Sequence, residues 1–113
     1  MAQAVNADEE RMRVLAQRSL DSTDADEVLA AVRGMNVAST PESLAALAHL
    51  SQAHPDVRVR LAVITTLGEL VRHVGDQDGR IHQIVREARN TQDTQVIEQV
   101  DMIAMQMDSP AGS

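Results

Sequence analysis

The sequence predicts an all-α protein of about six short helices, paired as three antiparallel hairpins. Apolar residues recur at helical spacing in six segments, and capping or turn residues separate these segments. The fourth segment, residues 54–74, is apolar around too much of its circumference to be buried from one side. The 113 residues include no aromatic side chain, so the core must consist of short aliphatic side chains, which suit closely packed helices.

Capping residues mark the first two helices. Asn6 and Glu9 resemble a capping box for a helix that ends near Leu20. An acidic, polar stretch follows, and a second helix begins at about Asp26 and stops at residues 34–36.

The third and fourth helices have the clearest start signals. Thr40 is suited to the N-cap position and Pro41 to the first helical position of the third helix. Pro55 disfavours a helical conformation at the preceding residue, and Asp56 can cap the fourth helix. A β-strand is the competing interpretation of residues 57–67, since apolar residues alternate from Val57 to Leu61 and β-branched residues are frequent, but the capping turn, the length of the segment and its Gly-Glu-Leu-Val continuation favour a helix.

The fourth helix has a narrow polar strip on an otherwise apolar surface. On a helical wheel, most of the circumference is occupied by Val57, Val59, Leu61, Ala62, Val63, Ile64, Leu67, Leu70, Val71 and Val74. The polar strip consists of Arg58, Thr65, Glu69 and Arg72. Because the apolar arc is so wide, we expect other helices to pack on both flanks of this helix.

Two further helices complete the third hairpin. Residues 75–79, with two glycines and two aspartates, form the clearest break in the chain. We expect a fifth helix from about Gly79 to Asn90, a turn that ends at Asp93, and a sixth helix that extends to Met107.

The fourth helix resembles the HEAT-repeat signature of the armadillo/HEAT superfamily, in which an aspartate is followed by valine-arginine, alanine and leucine-glycine. The matching residues are Asp56, Val59, Arg60, Ala62, Leu67, Gly68 and Leu70, and they cover about one repeat. The resemblance implies a right-handed stack of hairpins whose second helices line the concave surface. It also implies that the signature aspartate and arginine bridge neighbouring repeats, a role that suits Arg60 because this residue lies among apolar positions.

The expected domain is a single HEAT-like unit. Asp56 and Asp93, each expected to cap the second helix of a hairpin, are 37 residues apart, and a similar step back reaches the acidic stretch before the second helix. We therefore expect three hairpins within residues 6–107, with a disordered start at residues 1–5 and a disordered tail at residues 108–113. A compact helical bundle is the alternative architecture.

Composition excludes several classes of function. The net charge of −7 argues against binding to a nucleic-acid backbone. No apolar run approaches the length of about 20 residues that crosses a bilayer, and no leader opens the chain, so we expect a cytoplasmic protein that does not contact membranes. The absence of cysteine excludes disulfides and thiolate metal sites.

The sequence also contains no recognisable catalytic or metal-binding pattern. The four histidines, at positions 49, 54, 73 and 82, are not spaced three or four residues apart. The acidic residues cluster at helix starts, where the helix dipole stabilises them. The loop from Gly75 to Gly79 lacks the lysine of a phosphate loop. We therefore predict a protein that is not an enzyme and needs neither a cofactor nor a metal.

Two surfaces are candidate partner-binding sites. The resemblance places the polar strip, Arg58, Thr65, Glu69 and Arg72, on the concave surface where partners bind; the alternative is an ordinary solvated face. Met102 and Met105, which we call the methionine face, point away from the inner side of the sixth helix. Methionine is flexible and suits adaptable contacts, although both side chains could instead be buried.

The predicted function is a non-catalytic protein–protein interaction module, such as a small adaptor or regulatory subunit, with a protein partner of unknown identity and a possible homodimer. The alternative is a small acidic chaperone or assembly factor for a secreted or aggregation-prone partner.

Overall fold

Six α-helices form in the computed structural model, which describes residues 7–76 and 78–108 of the chain. The helices are α1 (Ala7–Asp21), α2 (Ala25–Gly34), α3 (Pro41–Ala53), α4 (Val57–Val74), α5 (Arg80–Ala88) and α6 (Thr94–Asp108). The all-α prediction is confirmed, and the segment that could have been a strand is the start of α4. The expected disordered start at residues 1–5, the cap at Asn6 and residues 109–113 of the expected tail lie outside the described residues.

Aspartates cap α2, α4 and α6. The side chains of Asp24, Asp56 and Asp93 each accept a hydrogen bond of 2.9 Å from the backbone amide two residues further along the chain. These bonds satisfy amides that have no partner within the helix. Helix α2 starts at Ala25, within one residue of the predicted start at about Asp26, and Asp24 is its cap. The interval from Asp24 to Asp56 is therefore 32 residues, so the expected step of 37 holds only between α4 and α6.

The helices pair as three hairpins, α1 with α2, α3 with α4, and α5 with α6, and the hairpins stack in two layers. One layer contains α1, α3 and α5, and the other contains α2, α4 and α6. The molecule measures 50 × 40 × 18 Å, and the shortest dimension corresponds to two packed helices. Helix α4 contacts α2, α3, α5 and α6, which explains why its apolar arc is so wide. No helix in the described part of the chain has the length and apolar character needed to span a membrane.

Aliphatic side chains fill the space between the two layers. The largest buried side chains are those of Met12, Met35, Leu47, Ile64, Leu67, Leu70 and Ile81. The end of α4 departs from the helical-wheel prediction, because Val74 is exposed rather than part of the buried stripe. Val57, Leu61, Ala62 and Val71 are half-buried at the margins of the arc.

Gly68 allows α6 to approach α4 closely. A Cβ atom at position 68 would lie 2.9 Å from Cγ2 of Ile103, which is shorter than any normal contact. Gly34, at the end of α2, has a contact of the same length with Cδ1 of Leu15. The two sites differ because Cγ2 is fixed to the branched Cβ of Ile103, whereas Cδ1 is the flexible end of Leu15.

We expect Gly68→Ala to lower the free energy of unfolding by about 1–3 kcal/mol, because the overpacking exceeds the gain in helix propensity of up to ~1 kcal/mol. Gly34→Ala is the matched control and should be neutral or slightly stabilising, because Leu15 can move aside. Urea denaturation followed by far-UV circular dichroism measures both. Equal stabilities of the two variants would contradict the close-approach argument.

An ion pair joins the second and third hairpins. Nη2 of Arg60 on α4 lies 3.5 Å from Oδ2 of Asp93, the residue that caps α6 with its other carboxylate oxygen. The Arg60 side chain is only 18% exposed, and its Nε atom is buried without a hydrogen-bond partner. Arg60 therefore links α4 to the hairpin of α5 and α6.

We expect Asp93→Asn to lower the free energy of unfolding by about 1–3 kcal/mol, because asparagine can still cap α6 but leaves the Arg60 charge without its partner. Arg60→Met should cost less, because Asp93 keeps its cap bonds and the apolar stem of the side chain is retained. When Arg60 is already replaced by methionine, Asp93→Asn should lower the free energy of unfolding little further. If chemical denaturation shows instead that the two substitutions lower the free energy of unfolding additively, the pair contributes nothing to stability.

Candidate functional site

An open groove of about 560 Å³ runs along the outer surface of the α2–α4–α6 layer, between α2 and α4. It is lined by Arg33, Asn36, Arg58, Leu61, Ala62, Thr65, Thr66 and Glu69. Three residues of the predicted polar strip, Arg58, Thr65 and Glu69, therefore line the groove, and Arg72 is exposed one turn beyond Glu69. The structure places the strip beside Arg33 of α2 and Asn36 just beyond α2, which sequence reasoning did not single out.

Polar contacts between the hairpins hold the two walls of the groove in place. The buried hydroxyl of Thr66 donates a hydrogen bond of 3.2 Å to the carbonyl oxygen of Val32 on α2. Nδ2 of Asn36, just beyond α2, lies 3.5 Å from Oε2 of Glu69. These contacts fix the distance between α2 and α4 at two successive turns, so the groove has a defined width.

The two arginines that line the groove differ in whether carboxylates neutralise their charge. The guanidinium of Arg58 bonds to Asp56 at 2.9 Å and lies 3.6 Å from Asp26. Hydrogen bonds from the Arg58 side chain and amide lower the pKa of Asp56, and the same contact raises the pKa of Arg58. Arg33 is exposed and has no ion-pair partner among the residues that the structure describes. Arg33 is therefore the cation in the groove that is available to a ligand.

The floor of the groove combines apolar and polar groups. Leu61 and Ala62 are half-buried and present hydrocarbon surface. The Thr65 hydroxyl donates to the carbonyl oxygen of Leu61 at 3.2 Å and accepts from Nε2 of Gln99 on α6 at 2.7 Å. Such a surface can bind a segment that offers one or two apolar side chains together with hydrogen-bonding groups.

The methionine face lies on the neighbouring helix of the same layer. Met102 is 47% exposed and Met105 is 74% exposed, so the alternative that both are buried is wrong. Gln99, which bonds to Thr65, is one turn before Met102 on α6. The methionine face therefore begins close to the edge of the polar strip.

Sequence reasoning missed Arg33, Asn36 and Gln99 because each belongs to a different hairpin from the polar strip. The signal was present, since the contacting pairs Asn36–Glu69 and Thr65–Gln99 are separated by 33 and 34 residues. Aligning the hairpins by their capping aspartates would have placed Asn36 within one residue of Glu69, but it would have left Gln99 three residues out of step with Thr65.

The histidines do not converge on one site. His54 accepts a hydrogen bond from the amide of Asp56, and His49 and His73 are exposed. His82 lies between two carboxylates, with Nδ1 2.5 Å from Oδ2 of Asp76 and Nε2 3.3 Å from Oδ1 of Asp108. No group of three histidine, aspartate or glutamate side chains in residues 7–76 and 78–108 is arranged to hold a metal ion.

Asp76 anchors the start of α5. Its side chain is 3% exposed, and its carboxylate accepts hydrogen bonds of 2.9 Å from the amides of Ile81 and His82. Burial opposes ionisation of this carboxyl, but the hydrogen bonds from the His82 side chain and from both amides outweigh it, so the pKa of Asp76 is lowered. This contact replaces the side-chain cap that Gly79 cannot provide.

The lowered pKa of Asp76 predicts a dependence of stability on acid. The carboxyl ionises more readily in the folded state than in the unfolded state. Its contribution to the free energy of unfolding is therefore complete above the ordinary aspartate pKa of about 4, and it is lost as the pH falls through the lower pKa of the folded state. We expect Asp76→Asn to reduce stability at neutral pH by about 1–3 kcal/mol. The difference from the wild type should shrink as the pH is lowered from about 5 to 3.

Urea midpoints measured across this pH range test the prediction. Asp78→Asn, which removes an exposed carboxylate from the same loop, is the matched control and should cause a much smaller loss. A difference between Asp76→Asn and the wild type that stays constant with pH would contradict the assignment.

Comparison with known proteins gives the chain no relatives from which a function could be transferred. No family model, curated protein or solved structure matches it.

Proposed function

We propose that this protein is a non-catalytic protein–protein interaction module, a small adaptor or regulatory subunit, and that the groove between α2 and α4 receives part of its partner. The observation that carries the proposal is the groove itself, which combines an apolar floor, the exposed cation of Arg33 and the residues of the polar strip. In this proposal the protein is cytoplasmic and belongs among the HEAT-like helical repeat proteins. The two-layer stack of hairpins and the contact between Arg60 and Asp93 support the latter assignment.

The contacts between hairpins support a binding role. Thr66, Asn36 and Gln99 hold the lining side chains in place without a ligand. A groove that is already ordered loses little conformational entropy when a partner binds, so more of the contact energy appears as affinity.

The chemistry of the groove also favours binding over catalysis. The hydroxyls of Thr65 and Thr66 both donate to backbone carbonyl oxygens, to those of Leu61 and Val32 respectively. Neither hydroxyl is paired with a general base, as a nucleophile would require. We therefore assign these threonines to shaping the groove.

A second candidate is a small acidic chaperone or assembly factor for a secreted or aggregation-prone partner. The exposure of Met102 and Met105 favours it, because flexible methionine side chains can adapt to apolar segments of different shape. In that case binding would depend on the methionine face and not on the groove.

Blocking the groove tests the first proposal. Thr65→Trp would fill the groove with a bulky ring, and Ala45→Trp would place the same ring on the exposed face of α3, in the other layer. Each tagged protein would be used to capture proteins from cells that express the chain naturally, with quantification by mass spectrometry. We expect at least one protein to be retained by the wild type and by Ala45→Trp but reduced about tenfold or more by Thr65→Trp.

Circular dichroism of both variants confirms that they are folded. Retention of the same proteins by Thr65→Trp and by the wild type would rule out the groove as the binding site. If no protein were retained above background by any variant, the interaction module itself would be ruled out.

A further inference from the structure

The outward face of α6 has apolar side chains where a terminal helix is normally polar. Helix α6 packs against α4 and α5, and Val96, Val100 and Ile103 are its buried residues. On the opposite side, Glu98, Met102 and Met105 follow one another at spacings of four and three residues and are all exposed. They therefore form one stripe along the helix.

The charge of α6 has a single sign. The helix contains no lysine, arginine or histidine, and its ionisable side chains are Glu98, Asp101 and Asp108. Asp101 accepts a hydrogen bond of 2.8 Å from Arg89, and Asp108 lies 3.3 Å from His82, so both have a contact on the side of α5. Glu98, the carboxylate in line with the methionine face, has no ion-pair partner among the described residues.

Exposed methionines beside an unbalanced carboxylate indicate the chemistry of the occupant. A purely apolar ligand that covered the methionines would take water from Glu98 without giving it a partner, and an acidic ligand would be repelled both by Glu98 and by the net charge of −7. A helix that presents apolar residues on one side and lysine or arginine at the margin would cover Met102 and Met105 and pair with Glu98.

We propose that the stripe of Glu98, Met102 and Met105 binds a basic amphipathic helix of a partner protein. The inference rests on the proposed role as an interaction module, and it adds the chemical class of the partner segment. The length of α6, 15 residues, provides about four turns along which such a helix can lie.

A synthetic peptide tests this proposal directly. The probe is a fluorescently labelled amphipathic helix of leucine and lysine with the same length as α6, and binding is followed by fluorescence anisotropy. A second peptide with glutamate in place of lysine should not bind. Affinity for the lysine peptide should fall as salt is added, because the pairing with Glu98 is exposed and therefore screened.

Variants separate this site from general attraction to an acidic protein. Met102→Gln combined with Met105→Gln keeps the charge and the length of both side chains, and we expect about tenfold weaker binding because the buried apolar area is lost. Val14→Gln combined with Leu20→Gln is the matched control, because these residues of α1 are also exposed apolar side chains. The control should bind as the wild type does. Glu98→Gln should weaken binding and reduce its dependence on salt.

Three results would overturn the proposal. The first is equal affinity in the two double variants, which would show that the peptide is attracted only by net charge. The second is binding of the glutamate peptide as tightly as the lysine peptide. The third is a dimer in light scattering that the Met102/Met105 double variant converts to a monomer, because the occupant would then be a second copy of the chain.

The outcome is independent of the groove experiment. If Thr65→Trp abolishes capture of a partner while the methionine variants bind the peptide normally, the interaction module stands and only the partner chemistry proposed for α6 is wrong. Failure of both experiments would remove the proposed function as well.

Discussion

The absence of aromatic side chains is the constraint on which the packing of this protein depends. Valine, leucine, isoleucine, alanine and methionine make up the apolar core, so the helices must come close together to avoid voids. Helix α4 meets this requirement most directly, because it contacts four other helices and has a glycine where α6 crosses it. The two-layer arrangement, and with it the groove between α2 and α4, follows from the need to surround this one helix.

Local interactions explain why most of the helices could be predicted from the sequence. Thr40 and Asp56 cap α3 and α4 through bonds to residues two or three positions away, so neighbouring residues alone specify these starts. The start of α2 was predicted only to within a residue, because the acidic stretch of residues 21–26 offers several capping residues, and the backbone conformation of Asp24 decides among them. Val74 was assigned to the core because it fits the helical period, but it lies at the last residue of α4 and is exposed.

The candidate site was predictable only in part, for a different physical reason. A helical wheel shows that Arg58, Thr65 and Glu69 share one side of α4, and the exposure of Met102 and Met105 follows from the same periodicity. It does not show which residues of α2 and α6 lie beside them. That information depends on how far one hairpin is shifted along the next, and the intervals of 32 and 37 residues between capping aspartates show that the shift is not constant in sequence.

The central position of α4 also has a consequence for local unfolding. Helix α1 packs against α2 and α3, so it can detach while α4 keeps its cover, whereas α6 has the most extensive contact with α4 and its detachment would expose that helix. Amide protons of α4 would then exchange with solvent more slowly than those of α1, which would exchange through partial openings of lower free energy. The groove wall on α4 would accordingly keep its shape while the start of the stack detaches and re-forms.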